Sequence, residues 1–359
     1  MSDVPAVISS RDRIVLALAG VLTVVAALTR YVDINSVFAF VVSGLTIAAL
    51  ATLVGRSVDQ LGDRLGAGAT GVLQSALGNL PELFVCVFAL RAGLVDVVQA
   101  AVVGSILGNV LLVLGLAFVV GGLRNGTQKF DSERAQSINA MMLLAVAAML
   151  IPSLTHVLHT PAGAHERTLS VIASIVLLLV FACSVPGSLR RSTDEAEACR
   201  DAGAEGRWPL WLAVAMLAVT GVLAAFVSDW FIHALEPAIT TLHISNTFAG
   251  LVIVAIAGNA VENVVGIQLA ARNQADYALS VILNSPLQIA LVLAPALVLL
   301  SYVIGGAAFT LVFPPALVAV LVAAVIAVTF TIADGLSFWL EGAALLGLYA
   351  VIAASFWWG

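Results

Sequence analysis

Eleven apolar runs, most of them about 20 residues long, divide this chain at short polar loops and decide what it can fold into. They fall near residues 14–30, 36–54, 70–92, 96–121, 135–154, 168–187, 208–228, 247–271, 276–301, 312–333 and 338–357. A run of that length without fixed charge matches the hydrocarbon thickness of a bilayer as a helix. A membrane β-barrel would instead show short alternating segments. Only 10% of the 359 residues are charged, against about 25% in a soluble domain. The expected class is an all-α polytopic membrane protein with about 11 transmembrane helices. The first run reads as an uncleaved span with Arg11 and Arg13 at its flank, rather than as a signal peptide.

Charge placement sets an expected orientation. Of the fifteen Lys and Arg residues, only Arg30, Arg91 and Arg167 fall in loops on the side opposite the N-terminus. The remaining twelve share the side of the N-terminus, which the positive-inside rule makes cytoplasmic. An odd number of spans then puts the C-terminus outside, in a cytoplasmic (inner) membrane. Cys86 and Cys183 lie in apolar spans and Cys199 in a charged segment, so no disulfide framework is implied.

The chain repeats itself. A shift of 180 positions lays Gly78-Asn79-x-x-Glu82 on Gly258-Asn259-x-x-Glu262 without a gap. The same shift pairs Asp96 with Asp276, Ser105 with Ser285, Leu107 with Leu287 and Leu111 with Leu291. Each copy holds five spans, an odd number, so the second crosses the bilayer upside down. Inverted-topology repeats are an architecture of secondary transporters, with ion sites near the midplane. The expected organisation is an N-terminal segment with the first, extra helix (1–35), a first five-helix repeat (36–187), a cytoplasmic linker (188–207) and a second five-helix repeat (208–359).

Glu82 and Glu262 stand near the middle of their spans, where a carboxylate costs about 2.5–3.5 kcal/mol or more. Two of them together approach the ~5–15 kcal/mol net stability of a whole protein. No Lys, Arg or His lies near the centre of any span to pair with them. Protonation and a bound cation remain as compensations, and the two carboxylates should titrate as a coupled pair. Their surroundings are hard oxygen donors: Asn79 and Asn259 one turn earlier, Ser105, Ser285, Asn109 and Gln288. Oxygen ligation of a divalent ion suits Ca²⁺, whereas zinc or copper would call for His or Cys. Pro81 and Pro286 are expected to kink their helices. Backbone carbonyls near Leu77, Gly78 and Gly258 then join the candidate ligands.

Other polar residues read more plainly. Asp96 and Asp276 each start a span, where an acid suits the helix N-terminus. The five histidines, His156, His159, His165, His233 and His243, are placed in two outer loops, and the charged 188–207 segment reads as a solvated linker. No resident cofactor and no nucleic acid is expected; the partners are the lipid bilayer and the transported ions, with a homo-oligomer left open.

The stretches "GNLPELFVCVFALRAGLVDVVQAAVVGSILGNVLLVLG" and "GNAVENVVGIQLAARNQADYALSVILNSPLQIALVLAP" resemble the two signature repeats of the calcium/proton antiporters, a family of the cation/calcium exchanger superfamily. The closing "DGLSFWLEGAALLGLYAVIAASFWW" resembles that family's last span. The resemblance implies eleven helices in two inverted halves, with Glu82 and Glu262 binding Ca²⁺ and protons in turn by alternating access. It also implies that Asn79, Asn259, Ser105, Ser285 and Gln288 are the polar neighbours. Three features depart from the family pattern: Asn263 follows the second Glu where His is common, Asn284 precedes Ser285 where Gly is usual, and the linker is less acidic. The alternatives are a Na⁺-driven or monovalent-cation exchanger, a passive channel, and, more remotely, an intramembrane enzyme using the two carboxylates. Against the last, no His-Glu-x-x-His, Gly-x-Gly-Asp or Ser/His pair lies in the spans.

Overall fold

A computed structural model describes residues 9–32, 35–65, 77–199 and 208–358, without the side chains of 10, 11, 62–65, 185–199, 261 and 262. The start of the third expected span and the end of the linker therefore lie outside the described residues. The helices are α1 Ser10–Tyr31, α2 Ser36–Leu65, α3 Leu80–Arg91, α4 Val95–Leu107, α5 Leu114–Asn125, α6 Ser132–Val157, α7 Glu166–Cys199 and α8 Leu210–Leu242. They continue with α9 Asn246–Phe248, α10 Ala255–Gly258, α11 Ala260–Ala271, α12 Ala275–Gln288, α13 Ala294–Ile304, α14 Pro315–Thr331 and α15 Trp339–Ser355. A two-residue antiparallel ribbon joins β1 Gln128–Lys129 to β2 Leu336–Ser337.

Among the described residues seven helices are long and apolar enough to cross a membrane, or eight if the bent pair Asn246–Gly258 and Asn263–Ala271 counts as one span. The shorter α14 and α15 are apolar as well. All eleven expected runs coincide with helix, the third from Leu77 onward. The chain is a multi-pass, all-α membrane protein. Three helices overrun their expected ends: α2 continues past residue 54 to Leu65, α7 continues through the first part of the linker to Cys199, and α8 carries His233 within it rather than in a loop.

The residues group into two compact units. One takes the described residues up to Phe88 together with Val180–Thr241. Here Phe40 of α2 stacks on Phe231 of α8 at 4.8 Å, and the backbone N–H of buried Trp208 donates to Gln60 Oε1 at 2.8 Å. Helix α1 is mostly exposed, as fits an extra helix outside the repeat. Its ties to α2 are the Arg56–Asp12 ion pair and Thr46 Oγ1 donating to Leu22 O at 3.2 Å. Ser9 and Asp12 close its N-terminus as a capping box.

The other unit takes Ala89–Leu179 and Leu242 onward. Its centre is the continuous span Val95–Asn125, which is 83% buried against 17% for α1. A π-helical turn at Gly108–Val113 widens this span between α4 and α5, and a second at Ile289–Leu293 separates α12 from α13. The two turns lie 180 positions apart within a residue, so the sequence repeat is a structural one. Hydrogen bonds within the unit give the direction of each copy. The end of α5 meets the end of α11, just before α12 begins, through Asn125 Nδ2 to Ala270 O at 3.3 Å. The loop after α13 meets the end of α3, just before α4 begins, through Ala307 N–H to Leu90 O at 3.2 Å. Helices α4–α5 and α12–α13 thus run antiparallel, and the two copies are inverted.

Candidate functional site

Both Gly-Asn-x-x-Glu motifs interrupt a helix at the same point. In the second copy α10 stops at Gly258, Asn259 leaves helical geometry (φ −102°, ψ 22°) and α11 begins at Ala260. The flanking segments bend by 63°. In the first copy Gly78 and Asn79 form a turn after Leu77, and α3 begins at Leu80. Each Glu is therefore the third residue of a new half-helix. The expected proline kink needs correction: Pro81 sits in the first turn of α3, where its missing N–H costs nothing. The second copy breaks with no proline in its motif, so the Gly-Asn pair is the shared cause. Pro286 lies inside α12, just before the second π turn.

This placement adds a compensation that the sequence alone did not suggest. A carboxylate in the first turn of a helix faces the positive end of the macrodipole, worth about 0.3–1 kcal/mol and up to ~2 kcal/mol when partly buried. That is less than the ~2.5–3.5 kcal/mol insertion cost of a midmembrane acid. The dipole alone leaves a need for a proton or a cation.

Glu82 is 1% exposed and lies on the buried face of α3 with Val85, Cys86 and Ala89. Asn79 is buried beside the break, with its Nδ2 lacking a hydrogen-bond partner among the described residues. Its carbonyl accepts the N–H of Leu83 at 2.9 Å, which ties the turn to α3. Leu77 and Gly78 stand immediately before this break. Glu262 occupies the matching position of α11, but its side chain is outside the described set.

Around the second break four of the expected residues come together. Asn259 Nδ2 donates to Ser105 Oγ and to Ala255 O, both at 2.9 Å. Its Oδ1 accepts from Asn109 Nδ2 at 3.3 Å and from Ser285 Oγ at 3.4 Å. Asn259, Ser105, Asn109 and Ser285 are all buried. One amide thus gathers residues from both copies. Asn109 also donates to Ser105 O at 2.9 Å, while its Oδ1 has no donor among the described residues. A buried acceptor without a donor costs about 1–3 kcal/mol, so it stands ready for a cation or a protonated group. Gln288 is half-buried at the end of α12 and takes no part in this network among the described residues.

The helix crossing beneath the network is close. Gly104 of α4 packs on the backbone of Leu251, and Gly250 packs against Val97 and Ala100. Leu251 and Gly250 belong to a third π-helical turn, Ala249–Val254. Such wide turns are frequent at functional sites. They carry no hydropathy signal; the glycines at the crossing are the only trace in the sequence. Among the described residues no three His, Cys, Asp or Glu side chains form a metal cluster. Asp96 and Asp276 fall in the first turns of α4 and α12. His156 lies at the end of α6, where its Nδ1 is 3.2 Å from Glu166 Oε2.

A multi-pass helical protein built from inverted repeats, with an acid in the first turn of each motif's half-helix and amide and hydroxyl oxygens around the second break, has the architecture of an ion transporter. The comparisons agree. The model of the sodium/calcium exchanger protein family matches residues 35–189 and 212–358. A Ca²⁺/H⁺ antiporter of Aphanothece halophytica is 34% identical over 351 residues, covering 92% of this chain and 93% of that protein. The Ca²⁺/H⁺ antiporter ChaA of Bacillus subtilis (strain 168) is 34% identical, covering 95% and 97%. The solved structure of native YfkE superposes with a TM-score of 0.81 at 31% identity, covering 96% of this chain and 98% of that one. The chain belongs to the sodium/calcium exchanger protein family, and within it to the calcium/proton antiporters. It is a transporter and not an enzyme.

Proposed function

We propose that this protein exchanges cytoplasmic Ca²⁺ for external protons by alternating access across the cytoplasmic membrane, with its N-terminus inside and its C-terminus outside. Glu82 and Glu262 carry Ca²⁺ or protons in turn. Asn79, Asn259, Ser105, Ser285, Asn109, Gln288 and backbone carbonyls near Leu77, Gly78 and Gly258 supply further oxygen ligands. The observation that carries this reading is the pair of motifs that break at Asn and place Glu in the first turn of the following half-helix, at equivalent positions 180 residues apart. The names of the 34%-identical relatives support the same ion pair.

Ca²⁺ arriving from the cytoplasm displaces protons from the two carboxylates. The loaded site then opens outward, where protons displace the ion. An empty, doubly ionised site does not cross, because two bare carboxylates in a low-dielectric interior are too costly. That penalty makes exchange obligatory and suppresses leak. The test is transport in everted vesicles under an imposed inside-acid gradient, with Ca²⁺, Mn²⁺, Na⁺ and K⁺ offered singly. Ca²⁺ uptake that collapses the pH gradient without Na⁺ is expected. Uptake requiring Na⁺ in place of the gradient would establish a sodium-driven exchanger, and current without proton movement a channel.

A further inference from the structure

We infer that each acid-bearing half-helix is held at its far end by a latch extended from the opposite repeat, and that Gln128 is the positioning residue of one latch. The inference rests on the reading of Glu82 and Glu262 as the ion carriers. Helix α11 ends in a left-handed Asn273 (φ 60°), whose N–H returns to Ala270 O at 3.0 Å, while Gln274 N–H returns to Leu269 O at 3.0 Å. Helix α3 ends the same way at Gly93 (φ 82°), with N–H bonds from Gly93 to Leu90 O at 3.1 Å and from Leu94 to Ala89 O at 2.9 Å. Residues 93 and 273 are 180 positions apart.

The donors to these ends come from corresponding loops of the two repeats. Gln128 Nε2 donates to Ala270 O at 3.0 Å and to Asn273 Oδ1 at 2.9 Å. Asn125 Nδ2 adds bonds to Ala270 O at 3.3 Å and Ala271 O at 3.4 Å. Gln128 is 2% exposed, is paired through β1 to β2, and lies against Gly121, where any Cβ would strike its amide. In the other copy Ala307 N–H donates to Leu90 O at 3.2 Å, and Gly306 (φ 106°) packs on Leu90 and Arg91. Gly126 and Gly306, both at positive φ, are the corresponding loop residues.

The loop after one repeat's π-bulged span therefore caps the final carbonyls of the other repeat's acid helix. Ala270 O and Leu90 O each accept one N–H from their own left-handed turn, and the donor from the opposite repeat takes the second lone pair, so it ties the end of that helix to the other copy. With each acid helix fastened to the opposite repeat, neither carboxylate changes its access alone, and the two move as a pair. The two latches differ in chemistry. The one on α3 uses backbone and glycine, whereas the one on α11 uses side-chain amides and is open to substitution.

The test uses the full-length protein in vesicles, with rates per folded molecule from size-exclusion-purified protein. Gln128→Glu keeps the shape but turns an acceptor toward Ala270 O. Together with Gln128→Leu it should lower the maximal Ca²⁺ uptake rate at least 10-fold while KM for Ca²⁺ stays within about 3-fold. Asn125→Ala should give a smaller loss in the same direction, and it decides the matter if the Gln128 variants do not fold. Asn273→Gly keeps the left-handed end but loses Oδ1, and should change the rate less than 3-fold. A maximal rate per folded molecule that is unchanged in Gln128→Glu, or in Asn125→Ala where that variant decides, overturns the latch, as does a loss confined to KM. If wild-type protein shows no proton-coupled Ca²⁺ uptake, the functional reading itself fails, whatever the variants do.

Discussion

Asn259 is the residue through which the polar cluster is organised. Its amide makes four side-chain hydrogen bonds in a fully buried setting, to Ser105, Ala255, Asn109 and Ser285. Replacing it by Ala removes all four bonds, at a cost of about 1–3 kcal/mol for any buried group left unsatisfied. Asn259→Ala should therefore lower the thermal midpoint in detergent by several degrees and abolish uptake, as read by fluorescence-monitored melting and vesicle transport. Ser285→Ala loses only one long bond of 3.4 Å and should melt close to wild type. These residues were legible in the sequence because polar side chains inside apolar runs have few innocent explanations. Gln128 and Asn125 were not. A polar residue in a loop carries no such signal, and their role depends on carbonyls about 145 residues away.

Among the elements, the apolar runs were located because a bilayer imposes length and apolarity on every span, whereas α2, α7 and α8 continue beyond the apolar stretch that marked them. The internal shapes of the spans were hidden. A π turn changes the hydrogen-bond register of the backbone while leaving the side-chain pattern intact, so hydropathy does not see it. An interruption was expected in the first motif, at Pro81, but the one at Asn259 was not. Pro81 was the obvious suspect, yet the second motif breaks at Asn259 with Ala260 and Val261 following. Pro81→Ala should accordingly keep Ca²⁺ uptake within about 3-fold of wild type. Where two elements cross closely, size decides. A Cβ on Gly250 would lie 2.8 Å from Ala100 Cβ and closer still to Val97 O, so Gly250→Leu should leave little folded protein by size-exclusion chromatography. Gly20 on exposed α1 has nothing within 4 Å of its would-be Cβ, and Gly20→Ala should behave as wild type.

At the scale of the molecule, the 180-residue repeat and the odd span count already implied inversion, and the antiparallel course of α4–α5 and α12–α13 bears this out. The division into two compact units was not legible, because each unit draws helices from both repeats and such grouping depends on tertiary contacts alone. The shared faces give a topology forecast. Single cysteines at Lys129 and Asn273 should label from the same side of the membrane, and cysteines at Gly163 and Gly306 from the other. The central claim is that two matched carboxylates take Ca²⁺ and protons in turn. It is tested most directly by ⁴⁵Ca²⁺ uptake into everted, inside-acid vesicles holding Glu82→Gln or Glu262→Gln protein. Uptake at background in both variants, with wild-type amounts of folded protein, is the expected result, and proton-coupled uptake at the wild-type rate in either one would contradict it.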